Sequence, residues 1–328
     1  SEFSLSPRDE PEPSRGLSAF EELAQALPQR ELTRSYRSGG GEIAALVNES
    51  RYQGRIRALP SPGAFLGEPV LSKVVVEDGV GVPDQRTGLI EAVPGEVSRV
   101  VELVLSAASW HPDDSLMVVT TNERTAAAIR AAVHREAQAM PELAGFFSPK
   151  RAEPFLVLTI PQAATRSRER VIFSLGYGRT PHGRMLNQFG PITPDEAGER
   201  MLTTVLTRAR RHLTVVTCFR DEDIVVDRLQ GGARMLGRFL KEPPAFDRAG
   251  QNARTQPMLD DLGRRLQRLG LEVTPAYRGV GLAVRTPDGS SAYLIESDAD
   301  FARGTLLEQL RLHPTQLRRM GWGFMRVY

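Results

Sequence analysis

The 328-residue sequence has almost no cysteine, very little lysine and no long hydrophobic run. Cys218 is the only cysteine, which excludes an internal disulfide and fits a reducing cytoplasm, the compartment we expect. No apolar run approaches the roughly 18 residues that a membrane helix needs, so no transmembrane segment is expected. The N-terminus lacks the positive-then-apolar order of a secretory signal. Its first three residues, Ser-Glu-Phe, resemble a cloning remnant, and we expect the chain to be a piece of a longer protein.

Only three of the 42 basic residues are lysines, at positions 73, 150 and 241. A GC-rich genome explains this bias most simply, and the donor fork by which arginine grips phosphate is the alternative. The net charge of +2 is too small to indicate nucleic-acid binding by itself. The histidines show no metal-ligand spacing.

Strand-like runs alternate with helical patterns through the first two thirds of the chain. The runs are SKVVVEDG, SLMVVTT, PFLVLTI, RVIFSLGYG and HLTVVTCF, and the main helical segments are PGEVSRVVELVLSAAS, NERTAAAIRAAVHREAQA and TPDEAGERMLTTVLTRAR. In the last segment Thr193 and Glu196 have the spacing of a capping box, which predicts Thr193 as the N-cap. The alternation predicts an α/β fold, a mainly parallel sheet with helices on both faces. Ligands of such sheets sit at the carboxyl ends of the strands.

A second set of elements follows the linker-like segment EPPAFDRAGQNARTQ. The helix MLDDLGRRLQRLG, closed by Gly270, precedes the strand LEVTPAY, a hairpin that turns at PDGSS, a further helix and the strand GWGFMRVY. These patterns predict three parts: a flexible segment 1–16, an α/β domain 17–244 and a small α+β domain 245–328.

Three arginines, Arg208, Arg210 and Arg211, crowd the segment GERMLTTVLTRARRHLTVVTCF just before a predicted buried strand. One interpretation is an ordinary helix end, because cations complement the negative pole of a helix. The other is a helix end that faces a phosphate.

Four stretches in order resemble the second motor lobe of superfamily 1 helicases. They are LTRSYRSGGGEIAALVNESRYQGRIRALP, MVVTTNERTAAAIRAAV, RVIFSLGYGRTPHGRMLNQFGPI and GERMLTTVLTRARRHLTVVT. The similarity is greatest to the branch that contains the RNA-surveillance helicases and their bacterial helicase–nuclease relatives, and it covers roughly residues 17–220. The resemblance implies a RecA-like lobe that shares ATP and Mg²⁺ with a first lobe outside this sequence.

By this resemblance Arg208 is the arginine finger and Arg37 is a second contact to the γ-phosphate. The alternative is that Arg208 and Arg210 only pair with surface acids. Thr121 and Asn122 stand where the family's second lobe grips a single-stranded backbone, although TTNE also fits a plain helix N-cap. The resemblance implies a nucleic acid as partner, DNA more than RNA, and a parent helicase or translocase in DNA repair or defence. The phosphate loop G-x-x-x-x-G-K-[ST] is absent, so the chain alone should not hydrolyse ATP.

The tail GLAVRTPDGSSAYLIESDAD…LRRMGWGFMRVY resembles the restriction-endonuclease-like domain related to very-short-patch repair nucleases. This resemblance implies Glu296 and Asp298 as Mg²⁺ ligands and catalytic carboxylates. Gly281 stands where the family has an aspartate, which favours a degenerate nuclease fold over an active one.

A catalytically inactive nucleic-acid-binding or scaffold protein on the same folds is the competing hypothesis. Thr165 and Arg168 stand where the motor family has Gln and Glu in its fifth motif, and the loss of that Glu argues against normal ATP chemistry.

Overall fold

The computed structural model describes residues 19–29, 43, 47–48, 51–56, 59–85, 88–182, 188–241, 256–277, 280–298 and 305–328. The chain divides into two compact units, Ser1–Thr33 and Arg34–Tyr328. Helix α1, Ala19–Ala26, belongs to the first unit, and all elements that follow belong to the second. Within the described ranges, no helix combines the length and the apolar character needed to cross a membrane.

Five parallel strands form the larger sheet, in the spatial order β1-β5-β4-β2-β3. They are β1 Leu71–Val75, β2 Leu116–Thr120, β3 Leu156–Thr159, β4 Arg168–Ser174 and β5 Ala209–Thr217. β4 lies at the centre, where Val171 pairs with Met117 of β2 and with Leu213 of β5. The near-continuous apolar runs of the sequence match strands that are buried on both faces.

Helices cover both faces of this sheet, as the alternating pattern predicted. The short helix α2, Gly63–Leu66, precedes β1 and places Phe65 in a separate core. The covering helices are α3 Pro94–Trp110, α4 Glu123–Gln138, α5 Ile160–Ala163, α6 Glu196–Leu206 and α7 Gly231–Lys241. On one face Val104 of α3 and Ile129 of α4 join the core around Val118. On the other face Leu202 of α6 and Leu236 of α7 pack into a second core. Successive side chains of each strand enter opposite cores because a strand has a period of two.

The larger sheet has two ends, which we name for use below. We call the end where its strands begin the amino edge, and the end where they finish the carboxyl edge. The helices that follow β2 and β4 lie on opposite faces, so the strand order reverses between these neighbouring strands. A crevice outside the carboxyl ends of two such strands is the usual ligand site of an open α/β sheet.

A separate mixed sheet follows, in the order β6-β7-β8-β9, with only β8 and β9 parallel. Its elements are α8 Pro257–Arg268, β6 Glu272–Thr274, β7 Leu282–Arg285, β8 Ala292–Ser297, a π-helical turn Glu308–Leu312, α9 His313–Arg319 and β9 Trp322–Val327. Trp322 is buried and donates its indole N–H to the Pro60 carbonyl at 2.8 Å. Phe65 packs against the rings of Tyr277 and Trp322, so this core includes residues that precede the larger sheet.

The structure confirms the predicted α/β class and corrects two local predictions. Asp195, not Thr193, is the N-cap of α6, because its carboxylate accepts the Gly198 N–H at 3.0 Å and the Thr193 hydroxyl donates to that carboxylate. The helix also ends at Leu206, so Arg210 and Arg211 lie in β5 and not at a helix end. The predicted segment 1–16 and the boundary between residues 244 and 245 lie outside the described residues, and the domain division stays a prediction.

Candidate functional site

Arg208 lies at the amino edge, in the turn between α6 and β5, and its side chain is buried. Its Nε donates to the carbonyl of Thr204 at 2.8 Å, and its Nη1 donates to the carbonyl of Ala164 at 2.6 Å. The guanidinium therefore joins the end of α6 to the segment between α5 and β4. Arg37, the second predicted phosphate contact, lies outside the described residues.

The segment that resembles the fifth motor motif meets Arg208 at this edge. The backbone N–H of Arg168 donates to the carbonyl of Arg208 at 3.3 Å. The Arg168 side chain is buried and donates through Nε and Nη2 to the carbonyl of Pro154, at 3.2 and 2.9 Å. Burial lowers the pKa of this guanidinium. The Nε and Nη2 donors of Arg168 are therefore satisfied by the loop before β3.

The other two arginines of the cluster form ion pairs at the amino edge. Arg210 makes a two-pronged contact with Glu153, and its hydrogen bonds hold the pKa of that carboxyl down at about 2. Asp114 accepts from Arg170 at 2.6 Å and from Arg211 at 2.9 Å. The crowding of arginine thus reflects a strand start that is joined by ion pairs to the loops before β2 and β3. For Arg210 this is the pairing with an acid that stood as the alternative to a phosphate contact.

Thr121 and Asn122 lie at the carboxyl edge, directly after β2, where the strand order reverses. Asn122 caps α4 by accepting the Thr125 N–H at 2.8 Å, and its amide donates to the Gly176 carbonyl at 3.1 Å. The Thr121 hydroxyl donates to the carbonyl of Leu175 at 2.6 Å. The N-cap interpretation is correct for Asn122, and the predicted contact with a nucleic-acid backbone stays a prediction.

Gly176 lies just after the end of β4 and packs against Thr120, Asn122 and Thr125. Its φ of +76° favours glycine, and a Cβ there would lie 2.7 Å from Thr120 Oγ1 and 2.9 Å from Asn122 Nδ2. Thr120 Oγ1 is buried and has no hydrogen-bond partner among the described residues. The carboxyl edge is therefore a polar, closely packed surface of hydroxyl, amide and main-chain groups.

Glu96, in the first turn of α3, is a fully buried carboxylate behind that surface. Its Oε1 accepts from the Ser174 hydroxyl at 2.7 Å and from the Gly176 N–H at 2.9 Å, and Cys218 Sγ lies 3.5 Å from Oε2. Burial raises the Glu96 pKa from 4.5 to about 6. No sequence signal marked this residue beyond a single acid at the start of an apolar helix.

We expect the Glu96→Gln substitution to remove a specific pH dependence of folding. The folded state binds the Glu96 proton more tightly than the unfolded chain does, so this group stabilises the fold below about pH 4.5. That contribution, about 2 kcal/mol for a pKa raised from 4.5 to about 6, is lost as the pH rises through 6. Urea unfolding of both proteins at pH 4.5, 6 and 7.5 measures it.

Between pH 4.5 and 7.5, the free energy of unfolding of Glu96→Gln should therefore rise by about 2 kcal/mol relative to that of the wild type. Glu102→Gln, an exposed position on the same helix that pairs with Arg99, is the matched control. Parallel pH profiles for wild type and Glu96→Gln would contradict the assignment.

Glu296 and Asp298 lie at the end of β8, but only Asp298 is exposed. Glu296 is buried and both of its oxygens are occupied, since His313 Nε2 lies 2.7 Å from Oε1 and Arg326 Nη2 donates to Oε2 at 3.2 Å. Arg326 also donates to the carbonyl of Gln309. His313 and Arg326 were missed from the sequence, because they reach Glu296 only through the packing of α9 and β9.

These carboxylates do not fit a Mg²⁺ ion as they stand. Magnesium requires open oxygen ligands, and the Glu296 carboxylate instead has one oxygen paired with Arg326 and the other in contact with His313. Within the part of the chain that the structure describes, no three His, Cys, Asp or Glu side chains gather in a way that could hold a metal ion.

Solved structures that resemble this chain distantly include the following two. The C-terminal domain of a possible DNA helicase from Lactobacillus plantarum WCFS1 aligns with 56% of this chain and 87% of its own, at 16% identity and a TM-score of 0.30. The large terminase of bacteriophage HK97 aligns with 88% of this chain and 74% of its own, at 9% identity and a TM-score of 0.31. Both TM-scores are too low to support an argument about function. No protein-family model and no curated protein matches the sequence.

Proposed function

We propose that this chain is the second motor lobe of an ATP-dependent nucleic-acid helicase or translocase. The main support for this proposal is the hydrogen bond of 2.6 Å from Arg208 Nη1 to the carbonyl of Ala164. It brings Arg208 into contact, at the amino edge, with the start of the segment that resembles the fifth motor motif. Two stretches that the sequence resemblance assigns to one ATP site, more than 40 residues apart in the chain, are thus neighbours in space.

The surroundings of Arg208 suit a fixed cation. An arginine that stabilises charge on a transferring phosphoryl group has to be held rigidly before the reaction, so that no reorganisation is needed. Two main-chain carbonyls and a buried position hold this guanidinium, while ATP would supply the phosphoryl group to be transferred. The remaining ATP contacts, including the phosphate loop, would come from a first lobe.

The opposite edge supplies the surface proposed for nucleic acid. Thr121 and Asn122 immediately precede α4 at the reversal of strand order, where hydroxyl, amide and main-chain N–H groups suit phosphates without reading bases. Binding at the carboxyl edge and ATP at the amino edge would couple the two events through the strands of one rigid sheet.

An inactive scaffold on the same fold is the second candidate, and it has its own observation. Arg168 replaces the expected Glu, and its donors are satisfied by the Pro154 carbonyl. In this alternative Arg208 serves only to tie α6 to the loop before β4. The small mixed sheet would then be a nuclease-like fold without metal chemistry, consistent with the ion pairs of Glu296.

ATP hydrolysis separates the two candidates. The polypeptide that joins this chain to a lobe with a phosphate loop should hydrolyse ATP, and single-stranded DNA should raise the rate at least about tenfold. RNA in place of DNA identifies the nucleic-acid type. A hydrolysis rate that is absent, or indifferent to both nucleic acids, would contradict the motor assignment and favour the scaffold.

A further inference from the structure

A pocket of about 100 Å³ lies where the amino edge of the larger sheet meets the small mixed sheet. This is several times the volume of about 15 Å³ that one water molecule needs. Three groups of residues line it, from the amino edge, from the β7–β8 turn with the α9–β9 turn, and from the segment before β1. The lining side chains that matter below are Arg170, Arg211, His212, Ser291 and Glu68.

Two guanidinium groups in this wall share one counter-ion. Arg170 uses only Nε, and Arg211 only Nη1, to bind the two oxygens of Asp114. Their other N–H groups have no hydrogen-bond partner among the described residues. The Arg170 side chain is only 13% exposed and is largely buried in the pocket wall. The Arg211 side chain is 44% exposed and borders solvent. A single carboxylate leaves this pair with a net charge of +1.

The remaining wall offers donors and small residues. Ser291 brings a hydroxyl from the hairpin turn, and Gly321 leaves room at the α9–β9 turn. His212 lies with Nδ1 2.5 Å from the Pro69 carbonyl, and burial lowers its pKa. Glu68, exposed at the rim, is the one acid in the lining.

We propose that this pocket binds a phosphate group, free or as the terminal monoester of a nucleotide or nucleic acid. Arginine forks match the oxygens of phosphate in two-pronged geometry, and Arg170, Arg211 and Ser291 all line this cavity. Among the described residues, both Nη groups of Arg170 and the Nη2 group of Arg211 have no hydrogen-bond partner. The ligand would join the two sheets, since its donors come from both. The inference does not depend on the proposed motor function.

Isothermal titration calorimetry of the chain tests the pocket, with inorganic phosphate as the first probe. We expect millimolar binding by the wild type, weakened about tenfold or more in Arg211→Gln, because a charge-assisted contact is lost. Ser291→Ala should weaken binding a few-fold. Arg268→Gln, an exposed arginine on α8 outside the pocket lining, should bind phosphate as the wild type does.

A second set of probes identifies the source of the phosphate. AMP is compared with an oligonucleotide that carries a 5′-phosphate and with the same oligonucleotide without it, and preference for the phosphorylated oligonucleotide assigns a nucleic-acid end. Absence of phosphate binding, or equal affinity in wild type and Arg211→Gln, overturns the proposal. Neither result bears on the motor assignment, which is measured by ATP hydrolysis.

Discussion

Alanine in place of Arg208 is expected to lower nucleic-acid-stimulated ATP hydrolysis about 10³-fold in the polypeptide that supplies the first lobe. An arginine finger acts on charge that exists only in the transition state, so kcat should fall while KM for ATP changes little. Lysine should not rescue the rate, because a single ammonium cannot keep the donors to Thr204 and Ala164 and also reach a phosphate. Steady-state kinetics at saturating single-stranded DNA measures the effect.

The control for this prediction is Arg200→Ala, on the exposed surface of α6, where the side chain pairs with Glu196 four residues earlier. It removes the same charge eight residues earlier in the chain and should leave kcat within about twofold, since exposed pairs contribute little. Because Arg208 is buried, thermal unfolding of Arg208→Lys and Arg208→Ala must accompany the kinetics. A folded Arg208→Lys enzyme with the wild-type kcat would assign Arg208 a purely structural role.

Most of the fold followed from the sequence, because its strands are short apolar runs between amphipathic helices. The runs SLMVVTT and RVIFSLGYG predicted β2 and β4, and Gly270 ends α8 with a φ of +83°, as a helix-closing glycine should. The errors in the sequence predictions of the fold were confined to the two ends of α6. Asp195 outcompeted Thr193 for the cap, since the carboxylate lies one residue before the first turn and the threonine hydroxyl supports it.

The candidate sites were less predictable, because their partners are distant in sequence. The spacing of Arg208, Arg210 and Arg211 revealed a cluster, but nothing in the sequence showed that Glu153 and Asp114 would meet it at the amino edge. The same holds for Glu296, whose partners His313 and Arg326 come from later elements. Residues of one motif could be identified from the sequence, whereas ion pairs between separate loops needed the three-dimensional packing.

The substitution Gly281→Asp, which introduces the aspartate of the nuclease family that the tail resembles, is expected to destabilise the small mixed sheet and not to create a nuclease. A Cβ at Gly281 would lie 2.0 Å from the Ile295 carbonyl oxygen and 2.8 Å from its carbon, both in the backbone of β8. Backbone cannot rotate away as a side chain can, so β7 and β8 would have to separate. We expect Gly281→Asp and Gly281→Ala each to lower the free energy of unfolding by about 3 kcal/mol or more, measured by urea denaturation.

Gly145→Ala is the matched control, because a Cβ there meets nothing within 4 Å and the change in stability should stay within about 0.5 kcal/mol. Incubation of Gly281→Asp with labelled DNA and Mg²⁺ or Mn²⁺ completes the test. No cleavage is expected, since Glu296 would remain bound to His313 and Arg326. The opposite outcome is a Gly281→Asp protein that folds with wild-type stability, cuts DNA and loses cleavage when Glu296→Gln is added. In that case the contacts of Glu296 do not prevent metal binding, and the mixed sheet holds a nuclease site that lacks only one carboxylate.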